Sequence, residues 1–372
     1  MISEIQIHRY YNYEVKDMYR PLIFASNCTY GFITESYELL YLKPFPYRDY
    51  INSENIFVLW DKLIGENLQP LNKQEKEIYK FLMAIGKHIF TDPGTNILKE
   101  WKDILSMSAV CDLWKQNKQV LTCTDDFIEC LQTADELNIP VDIVKLMPFS
   151  TFCLDLQNNK YFPDIDYAYI TFRQTSNNNL EAHVARIVND EVFFSMYIIL
   201  NNTDIHTKDG ISYYKYSKKS IPTQDTIPVT NDAVKNIGKT EVDNSRFSDF
   251  CIFVVQLAMY ISTSNKDMKE NAETKKTYRP ERKLQNKFSA VQKWDVGYIV
   301  GKTYRQNKEG HRHSQGYVLD YKRKSPIPHM RRGHFQTYHV GEGRSTTDIK
   351  WIDPVFVGGN PKDNLPVIHK VQ

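Results

Sequence analysis

Thr151-Phe152-Cys153-Leu154-Asp155-Leu156 is where the hydrophobic period of the chain changes from that of a helix to that of a strand. Successive side chains of an extended chain point to opposite sides, so Phe152, Leu154 and Leu156 fall on one face. Tyr167 to Phe172 alternates in the same way, and Glu181–Val188 and Val192–Leu200 flank Asn189-Asp190-Glu191, which predicts a hairpin. The polar stretch 207–245, rich in Lys, Thr, Asp and Ser, predicts a long surface loop. Phe247–Ile261 is apolar on all sides and predicts a helix at the centre of the molecule. Its most apolar part, Phe250–Ile261, carries Gln256 and is far shorter than the roughly 20 residues a membrane span requires.

Upstream, the period is helical. Ser53 is placed to cap a helix with Ile56, Phe57, Trp60, Leu63 and Ile64 inward. A second helix from Lys73 turns Ile78, Phe81, Leu82, Ile85 and Ile89 to one side. Asp92-Pro93 opens a third, with Ile97, Trp101, Ile104 and Leu105 inward. Thr124 starts a fourth, carrying Phe127, Cys130, Leu131, Ala134 and Leu137 and ended by Pro140. Residues 1–50 are aromatic and punctuated by proline, and their pattern assigns no element.

Downstream, residues 263–287 are polar, contain Arg279-Pro280 and read as a linker. Beyond them Val296–Tyr304, Tyr317–Tyr321, Phe335–Val340, Ile349–Ile352 and Val355–Val357 read as strands. The expectation is an α+β protein in three parts: a mostly helical N-terminal region (1–148), a central antiparallel sheet with a buried helix (149–265), and a small basic β-rich C-terminal module (288–372).

The charge is divided unevenly along the chain. Residues 266–372 hold 22 Lys and Arg against 11 Asp and Glu, a formal charge of +11, and six of the ten histidines. Residues 1–265 carry −9, so the net charge of +2 conceals a bipolar chain. Such a split favours a phosphate-bearing or acidic partner at the basic end, although mutual attraction of the two halves would also use it. The six cysteines (28, 111, 123, 130, 153 and 251) form no Cys-x-x-Cys pair and read as reduced core thiols of a cytoplasmic protein. The start Met1-Ile2-Ser3-Glu4 has neither the basic residues nor the apolar run of a secretory signal.

The densest chemistry lies in 322–344: Lys322, Arg323 and Lys324, then His329, Arg331, Arg332, His334, Tyr338, His339 and Arg344. A guanidinium matches phosphate with two parallel N–H groups, and imidazole exchanges protons near neutral pH. Lys322, Arg323, Lys324, Arg331, Arg332, His334 and Arg344 are therefore candidate RNA or phosphate contacts. His329 and His339 are the candidates for proton transfer in metal-independent RNA cleavage. Gly333 permits close backbone approach. On a regular strand His329, Arg331 and Gly333 share one face, with Arg332 and His334 on the other. These residues also fit a plain domain junction. His329, His334 and His339 are too widely spaced for a usual zinc site and no cysteine lies near them, so neither a metal nor a cofactor is implied. The glycine patterns of nucleotide-binding loops are not present at the right spacing.

The run Pro328-His329-Met330-Arg331-Arg332-Gly333-His334-Phe335 continues through Tyr338, Gly341 and Gly343 to Trp351-Ile352-Asp353-Pro354-Val355-Phe356-Val357. It resembles the C-terminal signature of a family of phage- and plasmid-borne proteins, the second type V-A anti-CRISPR family. Gly333, Phe335, Tyr338 and Trp351 support the motif, with Phe335 standing where the family tends to have Trp. Val296-Gly297-Tyr298 to Tyr304-Arg305 resembles the segment before the signature. Phe152–Leu156 and Tyr167–Ile170 are similar to family strands. The resemblance implies a protein that suppresses production of the type V-A CRISPR effector. Its implied partners are the effector's nascent N-terminal peptide and the mRNA or ribosome, with no membrane involved; the oligomeric state is left open. From the residues alone, two other readings stay open: a metal-independent endoribonuclease or RNA-binding protein of a mobile element with another target, and a purely structural protein.

Overall fold

The computed structural model describes residues 54–64, 70–89, 94, 96–134, 136–175, 178–188, 192–200, 205–208, 211–217, 244–271, 291–314, 329–344 and 346–357. Seven strands form the main sheet, in the order β6 (Val192–Leu200), β5 (Leu180–Val188), β4 (Ile165–Gln174), β3 (Thr151–Asp155), β1 (Gln119–Cys123), β10 (Gln292–Val296) and β9 (Met268–Glu270). From β3 to β6 the pairing is an antiparallel meander. On its other side β3 pairs in parallel with β1, and β1 in parallel with β10. The architecture is α+β, with the expected antiparallel strands extended into a mixed sheet.

Strict alternation divides the sheet's side chains between two cores. Leu121, Phe152, Leu154, Ala168, Ile170, Phe172, Ala182 and Val184 face one core, and Val120, Cys153, Tyr167, Tyr169, Ala185 and Ile187 face the other. Three helices cover the second face: α1 (Asn55–Ile64), α2 (Lys73–Ile89) and α3 (Ile97–Asn117). The start of α2 is a reciprocal cap: Asn72 and Glu75 each donate a backbone N–H to the other's side chain, at 2.8 and 2.9 Å. Lys62 adds a 2.7 Å ion pair from α1 to Glu75. Trp101 Nε1 donates to the Leu82 carbonyl at 2.7 Å, joining α3 to α2. Ser53 and Asp92-Pro93, read as helix starts, lie outside the described residues.

Buried charge sits beneath α1. Arg173 bonds Glu181 at 2.8 Å and also reaches Asp61 of α1. His183 stacks on Phe57 with ring centroids 4.2 Å apart and meets Glu181 at 3.0 Å. Burial pulls the His183 imidazole below its ordinary value in spite of Glu181. Burial would raise Glu181, but hydrogen bonding to His183 and the charge of Arg173 outweigh it and bring its carboxyl down to about 2. Arg173 is therefore the cation that balances Glu181.

The first face is covered by α6 (Asn244–Ile261), and Phe250 to Thr263 are buried without interruption. Gln256, at the middle of this apolar helix, donates to the Ala134 carbonyl at 3.0 Å. Beside α6 lie α4 (Asp125–Gln132), the short α5 (Ile143–Leu146), α7 (Tyr298–Ser314) and a three-stranded sheet of β2 (Glu136–Pro140), β8 (Ile211–Ser217) and β7 (Ile205–Lys208). Burial pushes the thiols of Cys123, Cys130, Cys153 and Cys251 up, so they remain protonated. Among the described residues no helix is long and apolar enough to cross a membrane.

Four sequence readings are corrected. The helix from Thr124 ends at Gln132, because Thr133 caps it and the chain turns into β2 to pair with β8; Leu137 is therefore a strand residue. The polar stretch 207–245 is not all loop, since Ile211–Ser217 is the central strand β8 with Tyr214 buried; residues 218–243 lie outside the described set. Val296–Tyr304 is not a strand: β10 ends at Val296, Gly297 turns the chain at φ 68°, and α7 begins at Tyr298. Tyr317–Tyr321 is outside the described residues. Of the polar stretch 263–287, Met268–Glu270 is the edge strand β9.

Candidate nucleic-acid interface

The C-terminal motif folds as an antiparallel ribbon. β11 (His329–Arg331) pairs with β14 (Val355–Val357), and β12 (His334–Val340) pairs with β13 (Thr346–Ile352). The register runs unbroken from one pair to the next, so the two short sheets are one ribbon interrupted at Arg332-Gly333 and Asp353-Pro354. Pro354 has no N–H to give to the ladder. Gly333 is needed there for space: a Cβ would lie 2.5 Å from the Trp351 ring and 3.0 Å from Pro354 Cδ.

The inner face fastens the ribbon to the core. Trp351 is buried and packs with Phe335 at 4.8 Å and Tyr260 of α6 at 6.3 Å, ring centre to ring centre. Asn265, just beyond α6, accepts from Trp351 N at 3.0 Å and donates to Trp351 O at 2.8 Å. Ser264 N donates to Ile349 O at 2.8 Å, and Gly333 N to Thr133 Oγ1 at 3.2 Å. Gly333, Phe335 and Trp351 of the motif are thus packing residues.

The outer residues differ in character. Arg331 and Arg332 are exposed. His334, Gln336 and Tyr338 alternate with the inward Phe335 and Thr337, and Lys350 Nζ lies 5.5 Å from the Tyr338 ring centre. Asp348 is 4.0 Å from Lys350. His339, opposite Thr347, is half-buried on the Phe335 side. His329 heads β11, opposite Val357. A straight strand from His329 to His339 would span about 33 Å, so the two positions lie at opposite ends of the ribbon. Arg344 belongs to the tight turn Glu342–Arg344, where Gly343 takes φ 67°. Lys322, Arg323 and Lys324 lie outside the described residues.

A basic element that the sequence reading missed is α7. Gly297, Gly301, Tyr304 and Lys308 form its inner stripe against α4. A Cβ on Gly297 would fall 2.1 Å from the Phe127 ring, and one on Gly301 2.8 Å from Thr124 Oγ1. Tyr304 donates to Glu129 at 3.3 Å, Tyr161 donates to it at 2.8 Å, and Lys308 also bonds it. Burial would raise the Glu129 carboxyl, but the hydrogen bonds from Lys308 and Tyr161 outweigh it and hold the group below its ordinary value. Lys302 and Arg305 are left exposed, Arg305 on the flank beside Asp126 of α4. The i, i+4, i+7 and i+11 spacing of the stripe was the available signal, hidden because two of its members are glycine and one is lysine.

Polar residues also meet at the carboxyl ends of β1, β3 and β10, the usual location of ligand sites in parallel sheets. Here the carboxylates are engaged by the protein: Lys293 bonds Asp155 at 3.0 Å, Thr122 bonds Asp295 at 2.8 Å, and Asn271 bonds Asp295 at 3.2 Å. Among the described residues no three His, Cys, Asp or Glu are grouped to hold a metal ion.

A mixed sheet wrapped by helices and carrying a docked β-ribbon, on which Arg331 and Arg332 are among the exposed residues, defines an α+β protein. The chain belongs to the anti-CRISPR type V subtype A2 family (AcrVA2-like), whose model matches residues 121–359. The match begins at β1 and takes in the sheet, α6, α7 and the whole ribbon. The chain is also similar to a solved structure described as the crystal structure of AcrVA2, at 14% identity over 95% of this chain and 98% of that one, with a TM-score of 0.36. No curated protein matches the chain.

Proposed function

We propose that this type V-A anti-CRISPR protein suppresses production of the Cas effector by recognising the effector's nascent N-terminal peptide, while its basic ribbon engages the mRNA or ribosome and the mRNA is lost. The observation that carries the reading is the exposed Arg331-Arg332 pair on a ribbon whose inner face is locked to α6. Cations displayed on an immobile support lose little entropy on meeting phosphate, and the contact weakens with salt. Engagement of translating ribosomes also gives a use to the +11 charge of residues 266–372.

The test separates peptide from nucleotide recognition. A target gene is recoded over its first codons in two ways, one synonymous and one changing the encoded peptide. Silencing is expected to survive the synonymous change and vanish with the altered peptide; the reverse pattern overturns peptide recognition. Sequencing of the mRNAs that co-purify with the protein should show the target enriched, and enrichment should fall for the Arg331→Ala/Arg332→Ala variant. Incubating purified protein with target mRNA distinguishes recruitment from intrinsic cleavage: intact RNA is expected, and turnover lost in His329→Ala would move the reading to an endoribonuclease.

A further inference from the structure

The inner stripe of α7 determines what its outer face displays. With Gly297, Gly301, Tyr304 and Lys308 turned to α4, the rest of the helix leaves Tyr298, Ile299, Lys302, Arg305 and Gln306 exposed, Arg305 on the flank next to α4. Tyr298 and Ile299 are each 58% exposed, high for large apolar side chains next to a rigid core. Tyr298, Lys302 and Arg305 follow one another at i, i+4 and i+7 and line one helix face over about 10 Å. Arg305 has Asp126 at 3.4 Å, yet its side chain remains 54% exposed, and so open a pair holds a guanidinium weakly. Glu309, exposed one turn further on, ends the strip by repelling phosphate. α7 packs on β14, and β14 pairs Val355 with Arg331. The helix therefore borders the end of the ribbon that carries Arg331.

We infer that the outer face of α7 is a binding strip for single-stranded RNA, in which Tyr298 stacks a base while Lys302 and Arg305 hold flanking phosphates, continuing the cationic surface of Arg331 and Arg332. This inference rests on the phosphate-binding reading of the ribbon and adds the helix and the strandedness of the partner. An aromatic ring beside two cations matches an unpaired nucleotide, which offers a flat base and a phosphate together. A duplex keeps its base faces stacked inside and would leave Tyr298 without a use. An acidic peptide would satisfy the cations alone.

The experiment is fluorescence anisotropy of the full chain with a labelled unstructured RNA oligonucleotide and with a duplex of the same length, over a range of salt. The single strand should bind more tightly. Tyr298→Ala should weaken it about 5- to 150-fold, and Tyr298→Phe should restore binding. Lys302→Ala with Arg305→Ala should flatten the log–log salt dependence by about 1.4. Circular dichroism confirms that each variant is folded. If Arg331→Ala/Arg332→Ala loses RNA while the α7 variants bind as the parent does, the strip is overturned and the ribbon reading stands. Equal binding of duplex and single strand, indifferent to Tyr298→Ala, also overturns it. If the parent binds neither RNA at low salt, both readings fall.

Discussion

The two faces of the ribbon carry one continuous motif and use it for different ends. Inward, Gly333, Phe335 and Trp351 fill space against Tyr260 and are fastened by Asn265. At the interruption beside Gly333, Arg331 and Arg332 are exposed. α7 repeats the division, with Gly297 and Gly301 against Phe127 and Thr124, and Lys302 and Arg305 exposed. A recognisable motif is therefore no guide to which of its residues act. Which residues meet Tyr260 and Asn265, and which lie at the interruption, decides that.

The comparison breaks most severely at Trp351. Trp351→Ala removes the largest inner side chain of the ribbon and should cost about 3–5 kcal/mol, read as a lowered midpoint in urea. A variant as stable as the parent would mean that the ribbon is not anchored by its aromatic face. Gly301→Ala adds one methyl group against the backbone of Phe127, 2.9 Å from the new Cβ. An overpacking cost of about 1–3 kcal/mol is expected, and loss of helical signal would follow if α7 detaches.

Buried charge can be set against exposed charge by lowering the pH. His183 takes a proton more readily in the unfolded chain, because its folded value lies below the ordinary 6.5. Stability should thus begin to fall as pH drops through about 6.5. Glu181 continues the loss as pH falls from its ordinary 4.5 toward its folded value of about 2. Denaturant midpoints across this range check the sign, and His183→Gln should flatten the first part of the decline. The smallest effect on stability belongs to Arg331→Ala/Arg332→Ala, within about 0.5 kcal/mol as for other exposed sites. The same variant should bind RNA with a shallower salt dependence, and a large fall in its melting temperature would assign the arginines to packing.

What could be read in advance follows from how much of an element is apolar. α6 was legible because it is hydrophobic on every side, and β3 to β5 because Phe152, Leu154, Ile170 and Val184 alternate with residues of the opposite core. The ribbon strands were legible from Phe335, Ile349 and Trp351. α7 was not, because its inner stripe is two glycines, a tyrosine and a lysine, while Val296, Tyr298 and Val300 imitate alternation. β8 was hidden in a polar stretch by the same economy, since its buried anchor is Tyr214. The cationic character of the site could be seen in the composition. Its division into anchoring and displayed residues could not, because that depends on Tyr260 and Asn265, which lie far from the motif in sequence.

The position of β10 has a consequence for the order of synthesis. β1 leaves the ribosome early but lies between β3 and β10, and its second neighbour is made only at Gln292–Val296. Until then the growing chain exposes one unpaired side of β1, with Val120 and Leu121 beside it. Such an edge is a template for wrong pairing, and joining partners so distant in sequence is intrinsically slow. A chain truncated before Gln292 should therefore aggregate where the complete chain folds. The main sheet closes around β1 only once Gln292–Val296 has been made.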